Sequence, residues 1–84
     1  MNTKTIKDLQ LELTNNLQKI KFVEVTYLNG ETVKGFIKST DGENILLFLS
    51  VIPAGMTNEL HTINFNEIDA AIVNYHHSEP KIFN

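Results

Sequence analysis

The 84-residue chain contains no cysteine, no tryptophan and no arginine, and only two prolines and four glycines. Each absence removes a class of protein. Without Cys there is no disulfide framework, no thiolate nucleophile and no Cys-based zinc site, and the composition suits a reducing compartment. All seven basic residues are Lys, so the chain lacks the planar fork that recognises guanine, phosphate or carboxylate in bidentate fashion. The longest strongly apolar run is Ile45 to Leu49, with Val51 and Ile52 just beyond it. That falls far short of the roughly 20 residues that span a bilayer, and the N-terminus has no apolar signal core. A soluble, cytoplasmic protein is the expectation.

What is present is ordinary globular material, 42% hydrophobic and 20% charged, with ten acids against seven bases and a net charge of −3. A chain this short makes one domain, residues 1–84, and buries only about 60–65% of the surface its unfolded form exposes. Self-association is a natural remedy for so thin a core. The acidic balance does not point to nucleic acid as a partner.

Ile6, Leu9, Leu13 and Leu17 recur at spacings of three, four and four, which predicts a helix over about 5–17 with one apolar face. Thr5 and Asp8 suit a capping box, and Asn15-Asn16 suits a helix end, because Asn tolerates the left-handed conformation. The period then changes to two. Val23, Val25 and Tyr27 alternate with Glu24 and Thr26, Asn29-Gly30 is a strong hairpin signal, and Val33, Gly35 and Ile37 alternate with Lys34, Phe36 and Lys38. Residues 22–28 and 32–39 should therefore pair antiparallel, with Gly35 marking a bend or a close backbone approach. A turn at Asp41-Gly42 leads into Ile45 to Ile52, apolar on both faces and so a central strand, with the helix or a neighbouring subunit over its second face. Pro53, Gly55 and Asn58 predict a loop, His61, Ile63 and Phe65 a fourth strand, Asn66-Glu67 a turn, and Ala70 to Tyr75 a fifth strand. Pro80 ends regular pairing and leaves a tail over 77–84. The fold class is mainly β: an N-terminal helix, then a strongly bent five-stranded antiparallel barrel of SH3-like type over about 21–76.

Val25, Leu28-Asn29-Gly30, Val33, Gly35, Ile37, Asp41, Asn44 and Leu47 resemble the first motif of the Sm-like family, and Ile63 to Ile68 stand where its second motif falls. Asn64 and Phe65 replace that motif's usual Arg-Gly. The resemblance implies a homo-oligomeric ring in which the fourth strand of one subunit pairs with the fifth of the next, placing Val73 and Tyr75 at a contact edge. It also implies a single-stranded RNA site, with Asn44 at a base and Asn64 and Asn66 near the missing Arg. Glu43 stands where a stacking residue is usual.

Lys34 and Lys38 share the outward face of the second strand and are the cations placed to neutralise phosphate if RNA binds. Phe36, on that face, is either covered by the helix or exposed as a contact. Ile82 and Phe83 are either frayed or docked on a neighbour. A protein-interaction adaptor without nucleic-acid binding, using a strand edge or an apolar patch of Phe36, Ile82 and Phe83, is the alternative reading. Catalysis finds no support: Ser39, Ser50 and Ser78 have no nucleophile-elbow context and there is no glycine-rich phosphate loop. His61, His76 and His77, with Glu59 and Glu79, show none of the established zinc spacings, so neither metal nor cofactor is expected.

Overall fold

The computed structural model describes the backbone of residues 1–51 and 55–84, and the side chains of 1–49 and 59–84. Helix α1 spans Thr3–Asn15, two residues earlier at each end than the periodicity predicts. Its cap is Asn2, whose Oδ1 accepts a hydrogen bond from the Thr5 amide at 2.8 Å, in place of a Thr5–Asp8 box. The helix ends without a left-handed residue: Asn16 sits at φ −121, and Leu17 belongs to a 3-10 turn, Leu17–Lys19, that delivers the chain to the sheet.

Among the described residues six antiparallel strands follow: β1 (Ile20–Tyr27), β2 (Thr32–Thr40), β3 (Asn44–Val51), β4 (Gly55–Asn64), β5 (Ile68–Tyr75) and β6 (Lys81–Phe83). They form one sheet in the order β4-β3-β2-β1-β5-β6. The Asn29-Gly30 signal makes the β1–β2 hairpin. Gly30 takes φ +90, its amide donates to the Tyr27 carbonyl at 2.9 Å, and the Glu31 amide is held by the Asn29 side chain. At Asp41-Gly42 the Asp41 carboxylate accepts from the amides of both Glu43 and Asn44 at 2.7 Å. Gly35 is a close-approach position, since a Cβ there would stand 2.6 Å from the Phe48 carbonyl oxygen.

Chain connectivity forces the sheet to curl. β4 and β5 lie four strand positions apart, about 19 Å across a flat sheet at the usual spacing. Yet the only link between Asn64 and Ile68 is the 3-10 turn Phe65–Glu67, which reaches at most about 14 Å. Register shifts at Ile20/Phe22, Thr26/Tyr27, Ile37/Ser39 and Phe48/Ser50 supply the bends. Inside the curl, Val23 and Val25 of β1, Ile45 and Leu47 of β3, Ile63 of β4 and Ile68, Ala71 and Val73 of β5 pack with Phe65 under Leu9 and Leu13 of α1. Apolar area removed from water at about 25 cal/mol per Å² is the main term holding this arrangement.

Four expectations change. Residues 77–84 are not simply a tail, because β6 adds a sixth strand against β5, with Ala71 opposite Phe83, Ile72 opposite Ile82 and Val73 opposite Lys81. Gly55 and Asn58, expected in a loop, belong to β4, while Pro53 and Ile52 lie outside the described residues. β5 begins at Ile68 rather than Ala70. The helix covers the inner face of the sheet, so Phe36 is not beneath it and takes no part in the core.

Candidate functional site

The three asparagines of the expected RNA site come together. Asn44 opens β3 and pairs with Asn64 at the end of β4, while the Asn64 side chain caps the following turn by accepting from the Asn66 amide at 2.8 Å. The Phe65 amide donates to the Glu43 carbonyl at 3.0 Å, and the Gln10 side chain reaches from α1 to the Gly42 carbonyl at 2.7 Å. One end of the sheet is thereby built from Asn side chains beside Asp41 and Glu43. The amide donors from Glu43 and Asn44 hold the Asp41 carboxyl below its ordinary pKa, so this end carries fixed negative charge. Phosphate gains nothing there.

Lys34 and Lys38 stand elsewhere, on the convex outer face of the sheet. The Lys34 Nζ lies 4.3 Å from the centroid of the Phe22 ring, and the Lys38 Nζ 6.0 Å from that of Phe48. Phe48 sits in register between Phe36 on β2 and Leu60 on β4, and Phe22 opposite Asn74 on β5. Phe22, Phe36 and Phe48 are each half-buried and lie outside the core. The result is a row of three aromatic rings with two ammonium groups over them, a pairing worth about 0.5–1 kcal/mol per contact at exposed sites. Asn74, opposite Phe22, keeps its Nδ2 buried without a hydrogen-bond partner. Strict alternation from Val23 already assigns Phe22 to the outer face, and this was the signal available in the sequence for the aromatic row.

The residues expected at a contact edge divide. Val73 is fully buried in the chain's own core, so its side chain does not reach the surface. Tyr75 donates to Glu12 Oε1 at 2.5 Å, and Lys81 reaches the same oxygen at 3.3 Å with its Nζ 5.8 Å from the Tyr75 ring. Burial, and after it the Glu12 hydrogen bond and charge, push the Tyr75 phenol well above its ordinary range, so it remains a donor. Phe83 packs against the core, whereas Ile82 is 68% exposed on the outer face. The Glu12–Tyr75–Lys81 cluster ties α1, β5 and β6 together and has no signature in sequence spacing.

The His61 Nε2 lies 3.2 Å from Glu59 Oε1, and the rings of His76 and His77 are 6.2 Å apart. Among the described residues no three His, Asp or Glu side chains converge to hold a metal ion, and no helix is long and apolar enough to cross a membrane. Comparison with protein-family models, with curated proteins and with solved structures gives no match.

Proposed function

We propose that this chain is a non-catalytic binding and assembly module of Sm-like, SH3-like barrel type that self-associates through its strand edges. The observation carrying the proposal is the strand order β4-β3-β2-β1-β5 in a sheet curled by a three-residue link and capped by an N-terminal helix. A helix followed by strongly bent antiparallel strands supports the reading that the residues resembling the Sm-like motifs suggest. Sedimentation from micromolar to millimolar concentration tests self-association. Species at multiples of 9.5 kDa are expected, and a chain that stays at 9.5 kDa throughout overturns it.

The ligand that this reading assigns is single-stranded RNA, in a regulatory role. Support for it comes from the outer face, where Phe22, Phe36 and Phe48 offer stacking surfaces and Lys34 and Lys38 offer charge. Short A-rich and U-rich oligonucleotides should bind at low salt, with affinity falling steeply as salt rises. Absence of binding at low salt removes RNA from the proposal. A second reading, a protein-interaction adaptor without nucleic acid, is favoured by the acidic balance and by Leu60 and Ile82 exposed on that same face. Cross-linking in extracts of the native host, followed by identification of a specific protein partner, separates the two.

A further inference from the structure

Every strand has two edges, and in β5 both are taken. β1 occupies one along Ile68–Tyr75, and β6 occupies the other at Ala71, Ile72 and Val73. The opposite end of the sheet is β4, a ten-residue strand paired with β3 on one side only among the described residues. An edge strand presents a row of backbone donors and acceptors that a second strand can satisfy. The proposed self-association needs two such edges per chain, and one of them is filled by three residues of the chain itself.

We infer that β6 is a removable strap on the outer edge of β5, and that the surface beneath it is the docking edge for β4 of a second copy of this chain. This rests on the assembly reading above and adds to it a competition: tail docked and edge paired are mutually exclusive states.

The strap itself shows what the edge accepts. β6 lies antiparallel to β5 and sets an aliphatic side chain, Ile82, beside Ile72 on the outer face. β4 matches both features. It is extended, and it carries Leu60, 41% exposed, on the same outer face opposite Phe48. A docked β4 therefore places Leu60 where Ile82 now sits. β6 pairs with only three of the eight residues of β5, so a longer strand can satisfy backbone groups that the strap leaves to solvent.

The strap is fastened at two points. Phe83 packs against the core, and the Lys81 ammonium meets Glu12, which also accepts from Tyr75. Between β5 and the strap run His76 to Pro80, all exposed and without regular structure. Pro80 cannot donate to a ladder, which leaves this segment as the hinge. With the strap lifted, each copy has one β4 edge and one β5 edge that fit each other head to tail, and such heterologous pairing closes into a ring or runs on as a filament.

The lack of cysteine allows a direct test on the whole 84-residue chain. Ile72 and Ile82 face each other across the β5–β6 pair, at a separation that a disulfide spans. The double variant Ile72→Cys/Ile82→Cys locks the strap when oxidised and frees it when reduced, and Phe83→Ala loosens it without cysteine. Sedimentation is then run over a concentration series. The expected result is a 9.5 kDa species at every concentration for the oxidised form, assembly for the reduced form, and an assembly midpoint at least about tenfold lower for Phe83→Ala than for the unaltered chain. Equal assembly of oxidised and reduced forms overturns the strap while leaving the assembly reading standing. Failure of all forms, the unaltered chain included, to assemble overturns both.

Discussion

Replacing Gly35 by alanine separates close packing from ordinary strand propensity. In an unconstrained strand the change would stabilise by about 0.4–1 kcal/mol, because alanine has fewer unfolded conformations to lose. Here the new Cβ would lie 2.6 Å from the Phe48 carbonyl oxygen, about 0.8 Å inside the 3.4 Å at which ordinary contact begins, and 3.4 Å from the Leu47 Cβ. The obstructing atom is backbone in the middle of the β2–β3 pairing, so no rotamer change relieves it. β2 and β3 must separate while Leu47, fully buried, holds β3 in the core. Overpacking of this kind costs about 1–3 kcal/mol, leaving a net loss of about 1–2 kcal/mol. For a domain of this size that lowers the Tm by roughly 5–15 °C. Two other glycines calibrate the measurement by urea denaturation followed by circular dichroism. Gly42→Ala has nothing within 4 Å and should be neutral or slightly stabilising. Gly30→Ala meets no atom either but must adopt φ +90, at about 1 kcal/mol. A Gly35→Ala protein as stable as the parent, or Gly42→Ala the worst of the three, refutes the close-approach argument.

The acid response of Glu12 has a definite sign. Burial raises its pKa, but hydrogen bonds from Tyr75, Lys81 and Asn16 and the Lys81 charge outweigh burial and hold it below its ordinary value. Its contribution to stability is thus present above the ordinary carboxyl range and lost as pH falls through the lowered folded value. Between about pH 5 and pH 3 the parent should lose urea resistance faster than Glu12→Gln, and parallel pH curves would refute that role. Asn74→Leu removes the orphaned Nδ2 donor and should leave stability unchanged or raise it by about 1 kcal/mol, read as a urea midpoint; a clear loss means that the amide has an unrecognised partner. Lys34→Glu with Lys38→Glu, both exposed, should abolish oligonucleotide binding at a stability cost of about 1–2 kcal/mol from the two lost ring contacts; undiminished binding would remove the outer face from the RNA proposal.

The sequence is most explicit where local chemistry and tertiary structure agree. The Asn29-Gly30 turn, the alternation through Val25 and Val33, the tight position at Gly35 and the Leu9–Leu13 stripe all stand in the structure close to where spacing puts them. β6 is not legible in the sequence, because three residues after a proline carry no periodicity; its partner, the outer edge of β5, makes it a strand. β4 begins earlier than its Gly and Asn suggest because pairing with β3 overrides weak local preference. Alternation correctly sets Phe36 opposite Val33 and Ile37, but no sequence pattern tells which face of a doubly apolar sheet the helix will take. The candidate RNA residues divide for a related reason. Asn44, Asn64 and Asn66 are neighbours through strand pairing at one end of β3 and β4, whereas Lys34 and Lys38 stand over the Phe22 and Phe48 rings.

The closing of the sheet by β5 against β1 also bears on how quickly the molecule is made. Val23 meets Val73 and Val25 meets Ala71, so the pairing that joins the two halves of the sheet connects positions about fifty residues apart, and its loop must close before those contacts repay the entropy lost. The β1–β2 and β2–β3 hairpins can form on their own time, but the floor on which Leu9 and Leu13 rest is completed only when β5 arrives. On a ribosome the helix would emerge before the strands and wait for β5 before its apolar face found full cover.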